Sequence, residues 1–90
     1  MIIKKYTIQN IDELRYTLID DNNKKIELTI IFTDYRPSIG DVIYLWNSII
    51  KDNTILEFGK LTSDDKNATE EDIIKIISNG KEINLQRYYG

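Results

Sequence analysis

The stretch "LRYTLIDDNNKKIELTIIF" limits the fold more than any other part of the chain. Two strand-like runs flank Asp21-Asn22-Asn23-Lys24, where Asn and Asp tolerate the left-handed backbone that a tight reversal needs. On the second arm Ile26, Leu28, Ile30 and Phe32 alternate with Glu27, Thr29 and Thr33, and only Ile31 is out of step. Alternation of period two means one buried face and one wet face, so the stretch predicts an antiparallel hairpin on a core.

Similar alternation recurs on both sides. In "IIKKYTIQ" the apolar Ile2, Tyr6 and Ile8 alternate with Lys5, Thr7 and Gln9, while Lys4 breaks the pattern and places this strand at a sheet edge. "NIDE" reads as a turn. "TDYRPSIGD" contains the only proline, and Pro37 with Gly40 and Asp41 predicts a sharp reversal. In "DVIYLW" Val42, Tyr44 and Trp46 point one way and Ile43 and Leu45 the other, which predicts a central strand or one with a binding face. "NSIIKDN" fits a short helical turn or the end of that strand, with Asn53 as a turn residue. "TILEFGKL" reads as a strand in which Gly59 marks a bulge or a barrel corner, and "TSDDKN" reads as a solvated loop.

"TEEDIIKIISNG" predicts the one helix of the chain. Thr69 serves as N-cap with Asp72 in the capping-box position, Glu70 and Glu71 suit the positive dipole end, and Asn79-Gly80 stops it. Ile73, Ile76 and Ile77 form a stripe at helical spacing, widened by Ile74, with Glu71 and Lys75 as an i, i+4 pair. "KEINLQRYY" alternates again as the last strand, with Ile83 and Leu85 inward and Tyr88 outward.

These elements predict an α+β fold: one domain, residues 1–90, with a strongly curved antiparallel sheet or partly open β-barrel of five or six strands and a helix before the last strand. Its expected core is Ile8, Leu18, Ile26, Leu28, Ile30, Val42, Leu45, Leu56, Ile73, Ile77, Ile83 and Leu85. A chain of 90 residues buries only about 60 to 65% of the surface its unfolded state exposes, so its stability margin is modest.

Composition excludes several chemistries. The chain has neither cysteine nor histidine, which removes disulfides, thiolate nucleophiles, zinc-finger sites and the usual general base near neutral pH. No catalytic residue and no cofactor is assigned. The carboxylate pairs Asp12-Glu13 and Asp20-Asp21 fall in predicted turns without metal-ligand spacing, so no metal site is expected. The start, MIIKKYTIQN, lacks the apolar run of a secretion signal and implies a cytoplasmic protein; no membrane partner is expected, and the sequon at Asn67 carries no weight.

Two surfaces are candidates for recognition. The first is aromatic and cationic: Tyr35, Arg36, Tyr44, Trp46, Arg87 and Tyr88, the pattern by which small barrels stack unpaired bases. Its plainer explanation is that the rings, with Phe58 and Tyr89, fill the core and rim of a barrel. The second is acidic, Asp64, Asp65, Glu70, Glu71 and Asp72, which helix-dipole complementation and solvation also explain. A net charge of −3 disfavours phosphate-driven affinity.

"PSIGDVIYL" resembles the entry into a central strand of OB-fold and SH3-like small barrels, which implies a barrel shape. Through "RYTLIDDNNKKIELTI", "PSIGDVIYL" and "LQRYYG" the chain also resembles short uncharacterised proteins of low-GC Gram-positive bacteria and their mobile elements, including phage. That resemblance implies a shape and no function. The expected role is a non-enzymatic protein-interaction module, a small inhibitor or accessory protein. The alternatives are an OB-like single-stranded nucleic-acid binder and, last, a small enzyme using carboxylate or tyrosine chemistry. An exposed final strand would also permit a homodimer.

Overall fold

The computed structural model describes residues 2–51, 54–61 and 69–88. Among these residues seven strands run in the order β1 (Ile3–Asp12), β2 (Arg15–Ile19), β3 (Lys25–Phe32), β4 (Val42–Trp46), β5 (Leu56–Lys60), β6 (Ile73–Ser78) and β7 (Lys81–Arg87). A five-residue helix, α1 (Asn47–Lys51), follows β4 directly, and a 3-10 turn, Glu70–Asp72, precedes β6. The strands close into a barrel in the order β1-β2-β3-β5-β7-β6-β4. Every pairing is antiparallel except β3 with β5, which is parallel.

The predicted hairpin is present, with Leu18 opposite Ile26 and Tyr16 opposite Leu28. Its turn is held by the Asp20 carboxylate, which accepts from the N–H groups of Asn22 (2.8 Å) and Lys24 (2.9 Å), while Asn23 takes φ 62°. The first strand differs from expectation. It runs on to Asp12 through the residues read as a turn, and reverses at Glu13-Leu14 with Glu13 at φ 56°. It lies between β2 and β4 rather than at an edge. Lys4 stays exposed near the barrel end, so it interrupts the apolar alternation without leaving the strand unpaired.

The largest correction concerns residues 69–80, which do not form a helix before the last strand. The capping signal operates, since Asp72 Oδ2 accepts from the Thr69 hydroxyl (3.0 Å) and N–H (3.3 Å). It is spent on one 3-10 turn, after which Ile73–Ser78 extend as β6. Four isoleucines in five positions satisfy a helical stripe and a period-two face at once, so spacing alone cannot choose. The choice falls to β-branching, which favours strand, and to Asn79-Gly80, which is a hairpin turn rather than a helix stop. Both take positive φ, 51° and 77°, and Ser78 pairs with Lys81 across the two-residue loop. As a result Ile74 and Ile76 are buried, while Ile73 and Ile77, expected in the core, lie half-buried on the outer face.

The core contains the expected Ile8, Leu18, Ile30, Leu45, Leu56 and Leu85, with Ile26, Leu28 and Ile83 packed against it. Val42, also expected inside, sits on the outer face, because β4 turns Ile43 and Leu45 inward. Tyr6, Tyr16, Ile49 and Phe58 complete the interior. Tyr16 meets Phe32 edge-on at 5.2 Å, and Phe32 stacks on Phe58 at 6.2 Å, geometries that aromatic quadrupoles favour. Burial, and after it the charge of Asp20, raises the Tyr6 hydroxyl pKa above its ordinary value.

Gly59 marks a close approach rather than a bulge. A Cβ there would strike the Tyr88 ring and the Thr33 hydroxyl. The register irregularity of the barrel falls instead in β1, between Ile8 and Asn10. The Pro37–Asp41 turn forms as expected: the Asp41 carboxylate accepts from Ser38 N–H (2.9 Å), and Gly40, at φ 95°, donates its N–H to Ile8 O (2.8 Å).

Candidate functional site

Cross-strand register assembles the site on the outer face of β4. Because Ile43 and Leu45 face inward, Val42, Tyr44 and Trp46 face outward, and antiparallel pairing sets a residue of each neighbour beside them. Toward β1, Trp46 stands opposite Ile3, Tyr44 opposite Lys5 and Val42 opposite Thr7. Toward β6, Tyr44 stands opposite Lys75 and Val42 opposite Ile77. The Lys75 ammonium lies 4.5 Å from the centre of the Tyr44 ring and 3.4 Å from Glu82 Oε1, so one cation serves both an aromatic face and a carboxylate. The expected Glu71–Lys75 helical pair does not exist; Glu71 Oε2 accepts from Ser48 Oγ instead, at 3.3 Å.

Trp46 is half-buried and separates two surface recesses. One, of about 380 Å³, is lined by Ile2, Trp46, Asn47, Ser48 and Lys51. The other, of about 210 Å³, lies where β4 and β6 part, among Ile3, Trp46, Glu70, Ile73 and Lys75. Asn47 N–H donates to Ile2 O (2.8 Å), so the first residues of the chain run beside the start of α1. Ile2 and Ile3 are 61% and 48% exposed, beside the indole. Two large exposed apolar side chains adjoining a tryptophan and rimmed by lysines form a contiguous apolar surface, whereas a single exposed isoleucine would need no explanation.

The six residues read as one recognition set separate into three places. Tyr44 and Trp46 share the β4 face. Tyr35 packs, half-buried, against the core, and Arg36 Nη2 donates to Glu13 O at 3.2 Å, fastening the β1–β2 turn. Arg87 pairs with Phe58 across β5 and β7, and its Nη2 lies 3.5 Å from Thr54 Oγ1. Tyr88 covers Gly59, donating its hydroxyl to Lys60 O (2.7 Å) and its N–H to Glu57 O (2.8 Å). Tyr88 is therefore stapled to β5, and Leu85 and Gln86 are paired on both sides, with β5 and with β6.

Ile2, Ile3, Lys51 and Lys75 are the members of the patch that sequence reasoning missed. The exposed Ile2-Ile3 pair at the start of a strand was a legible signal; the Lys75–Tyr44 partnership was not, since it depends on β6 being a strand. Of the acidic set, Glu70, Glu71 and Asp72 form the 3-10 turn, and Asp64 and Asp65 lie outside the described residues, as do Asn53, Asn67 and Tyr89. Among the described residues no cluster of three or more carboxylates could hold a metal ion, and no helix is long and apolar enough to cross a membrane. No protein-family model, no curated protein and no solved structure matches the chain.

Proposed function

We propose that this protein is a non-enzymatic interaction module, a small cytoplasmic inhibitor or accessory protein, that docks another protein on the patch formed by Ile2, Ile3 and Trp46. The observation that carries the proposal is the exposure of two isoleucines beside a half-buried tryptophan on the barrel's outer surface. Such a patch has the anatomy of a binding hot spot: a central aromatic anchor, aliphatic surroundings, and a polar rim of Asn47, Ser48, Lys51 and Glu70. A barrel pre-organises these side chains, so little ordering entropy is lost on association.

The same face combines aromatics with Lys5 and Lys75, which favours the single-stranded nucleic-acid reading as the second choice. Two features weigh against it. The Tyr44 ring already carries the Lys75 ammonium over one face, and Glu70 and Glu82 stand close enough to oppose phosphate.

The test is to place a photo-crosslinking residue at Lys51, isolate the partner from cells, and titrate the purified pair with wild-type protein, Trp46→Ala and Ile3→Ser. Trp46→Ala is expected to weaken binding by a factor of about 30 or more, equivalent to about 2 kcal/mol, with little dependence on salt. Binding to single-stranded oligonucleotide that falls steeply with added salt would favour the second reading. A partner bound equally well by both variants would contradict the patch.

A further inference from the structure

β3 is longer than the strand that closes the barrel against it. Its ladder with β2 covers Lys25–Thr29, but its parallel ladder with β5 begins only at Ile30, opposite Leu56. Even-numbered residues turn their backbone groups toward β2: Asp20 N–H donates to Lys24 O at 3.0 Å, and Ile30 N–H donates to Leu14 O at 2.8 Å. Odd-numbered residues turn theirs the other way, as Thr33 shows by donating its N–H to Phe58 O at 3.0 Å. The N–H and C=O groups of Lys25 and Glu27 therefore point away from β2, where, among the described residues, no strand pairs with them. A recess of about 350 Å³ adjoins this edge, and Arg15, Glu27, Thr29 and Thr54 give it a largely polar lining. Such surroundings suit backbone and charged groups rather than an inserted apolar side chain.

The outer side chains of the edge are unsatisfied in a matching way. Arg15 Nε and Nη2 both donate to Glu27 Oε2, at 2.8 and 2.5 Å, which leaves Glu27 Oε1 without a donor among the described residues. Lys25 is exposed, and its ammonium has no carboxylate partner among them either. The run Lys25-Ile26-Glu27 is its own complement when reversed, which is what a contact between identical surfaces requires. We propose that this edge of β3 pairs antiparallel with β3 of a second copy, about a two-fold axis at Ile26.

In that register each Lys25 stands opposite Glu27 of the partner subunit, and odd residues meet odd residues. The backbone groups that point away from β2 thus bond one another, and each Lys25 ammonium reaches the spare Glu27 oxygen across the axis. An axis at Glu27 would keep the backbone bonds but set Glu27 against Glu27 and Lys25 against Thr29, so charge selects Ile26. β4 stands on the opposite wall of the barrel, and this contact is independent of the Trp46 surface.

The experiment uses the full chain in sedimentation velocity from micromolar to millimolar protein. A reversible dimer is expected, with slowed hydrogen exchange of the Lys25 and Glu27 amides as it forms. Lys25→Glu and Glu27→Lys each turn two attractions into two repulsions, and each is expected to raise the dimer dissociation constant by a factor of about ten or more. An equimolar mixture of the two variants restores both pairs and is expected to recover dimerisation, which a loss of folding in either variant would prevent. Because the chain has no cysteine, Ile26→Cys is expected to cross-link to itself across the axis on oxidation, and Leu28→Cys is not. A monomer at millimolar concentration overturns the proposal. So does a dimer that Lys25→Glu leaves intact, that the mixture fails to recover, that Trp46→Ala abolishes, or that Leu28→Cys traps in place of Ile26→Cys.

Discussion

Gly59 shows how one position can be reserved by its neighbours. The Tyr88 ring and the Thr33 hydroxyl occupy the volume a β-carbon would need, and neither is free to retreat. Tyr88 is anchored through Lys60 O, and Thr33 reaches Phe58 O (3.3 Å) and Asp34 Oδ2 (3.3 Å). Gly59→Ala is expected to cost about 1–3 kcal/mol in urea denaturation, with part of the loss recovered in the Gly59→Ala/Tyr88→Ala double variant. Full additivity would show that the ring is not the obstacle. Tyr6 offers a second residue-scale check. Its folded pKa is raised, so the native state holds the phenolic proton to higher pH than the unfolded chain does. The associated stability is intact below the ordinary tyrosine pKa of about 10 and is lost as pH rises through the folded value. The alkaline fall in melting temperature above that point is expected to be shallower in Tyr6→Phe than in the parent; equal slopes would show that Tyr6 does not contribute.

Among the elements, β6 separates two accounts of one segment. As a strand it buries Ile74 and Ile76; as a helix it would have buried Ile73 and Ile77 on the core stripe. Ile74→Ala and Ile76→Ala are expected to cost about 2–5 kcal/mol each, and the half-buried Ile73→Ala and Ile77→Ala only about 1 kcal/mol. The reverse ranking would restore the helix. The same segment shows what the sequence carried. The β2–β3 hairpin was legible because Asp20 and Asn23 sit in a turn flanked by clean alternation. The Pro37–Asp41 reversal was legible because proline and glycine fix backbone angles locally. Ile73–Ile77 was not, since its isoleucines fit either period and its capping residues act whether one turn or three follow. The position of β1 was hidden for a different reason. Closure is a property of the ring of strands, and no local pattern records which strand a partner will cover.

For the whole molecule, closure decides which side chains are left on the outer wall. The six aromatic and cationic residues gathered by type are separated by topology: Arg36 and Tyr88 hold turns and termini, while Tyr44 and Trp46 remain on the outer wall with Ile3, Lys5 and Lys75. Half of the site was thus visible as strand-alternating aromatics in "DVIYLW", and the other half depended on β1 and β6 flanking β4. Trp46→Ala is expected to leave the denaturation midpoint shifted by no more than about 2 kcal/mol equivalent, because the indole is only half-buried, so lost binding in that variant reports the surface rather than the fold. The most direct measurement of the account is a NOESY map of the β4–β6 seam. Backbone contacts of Val42 with Ile77, Ile43 with Ile76 and Tyr44 with Lys75 are predicted. Sequential i, i+3 contacts through residues 70–78 in their place would mean that a helix occupies this wall, and the face bearing Tyr44 and Trp46 would not exist as described.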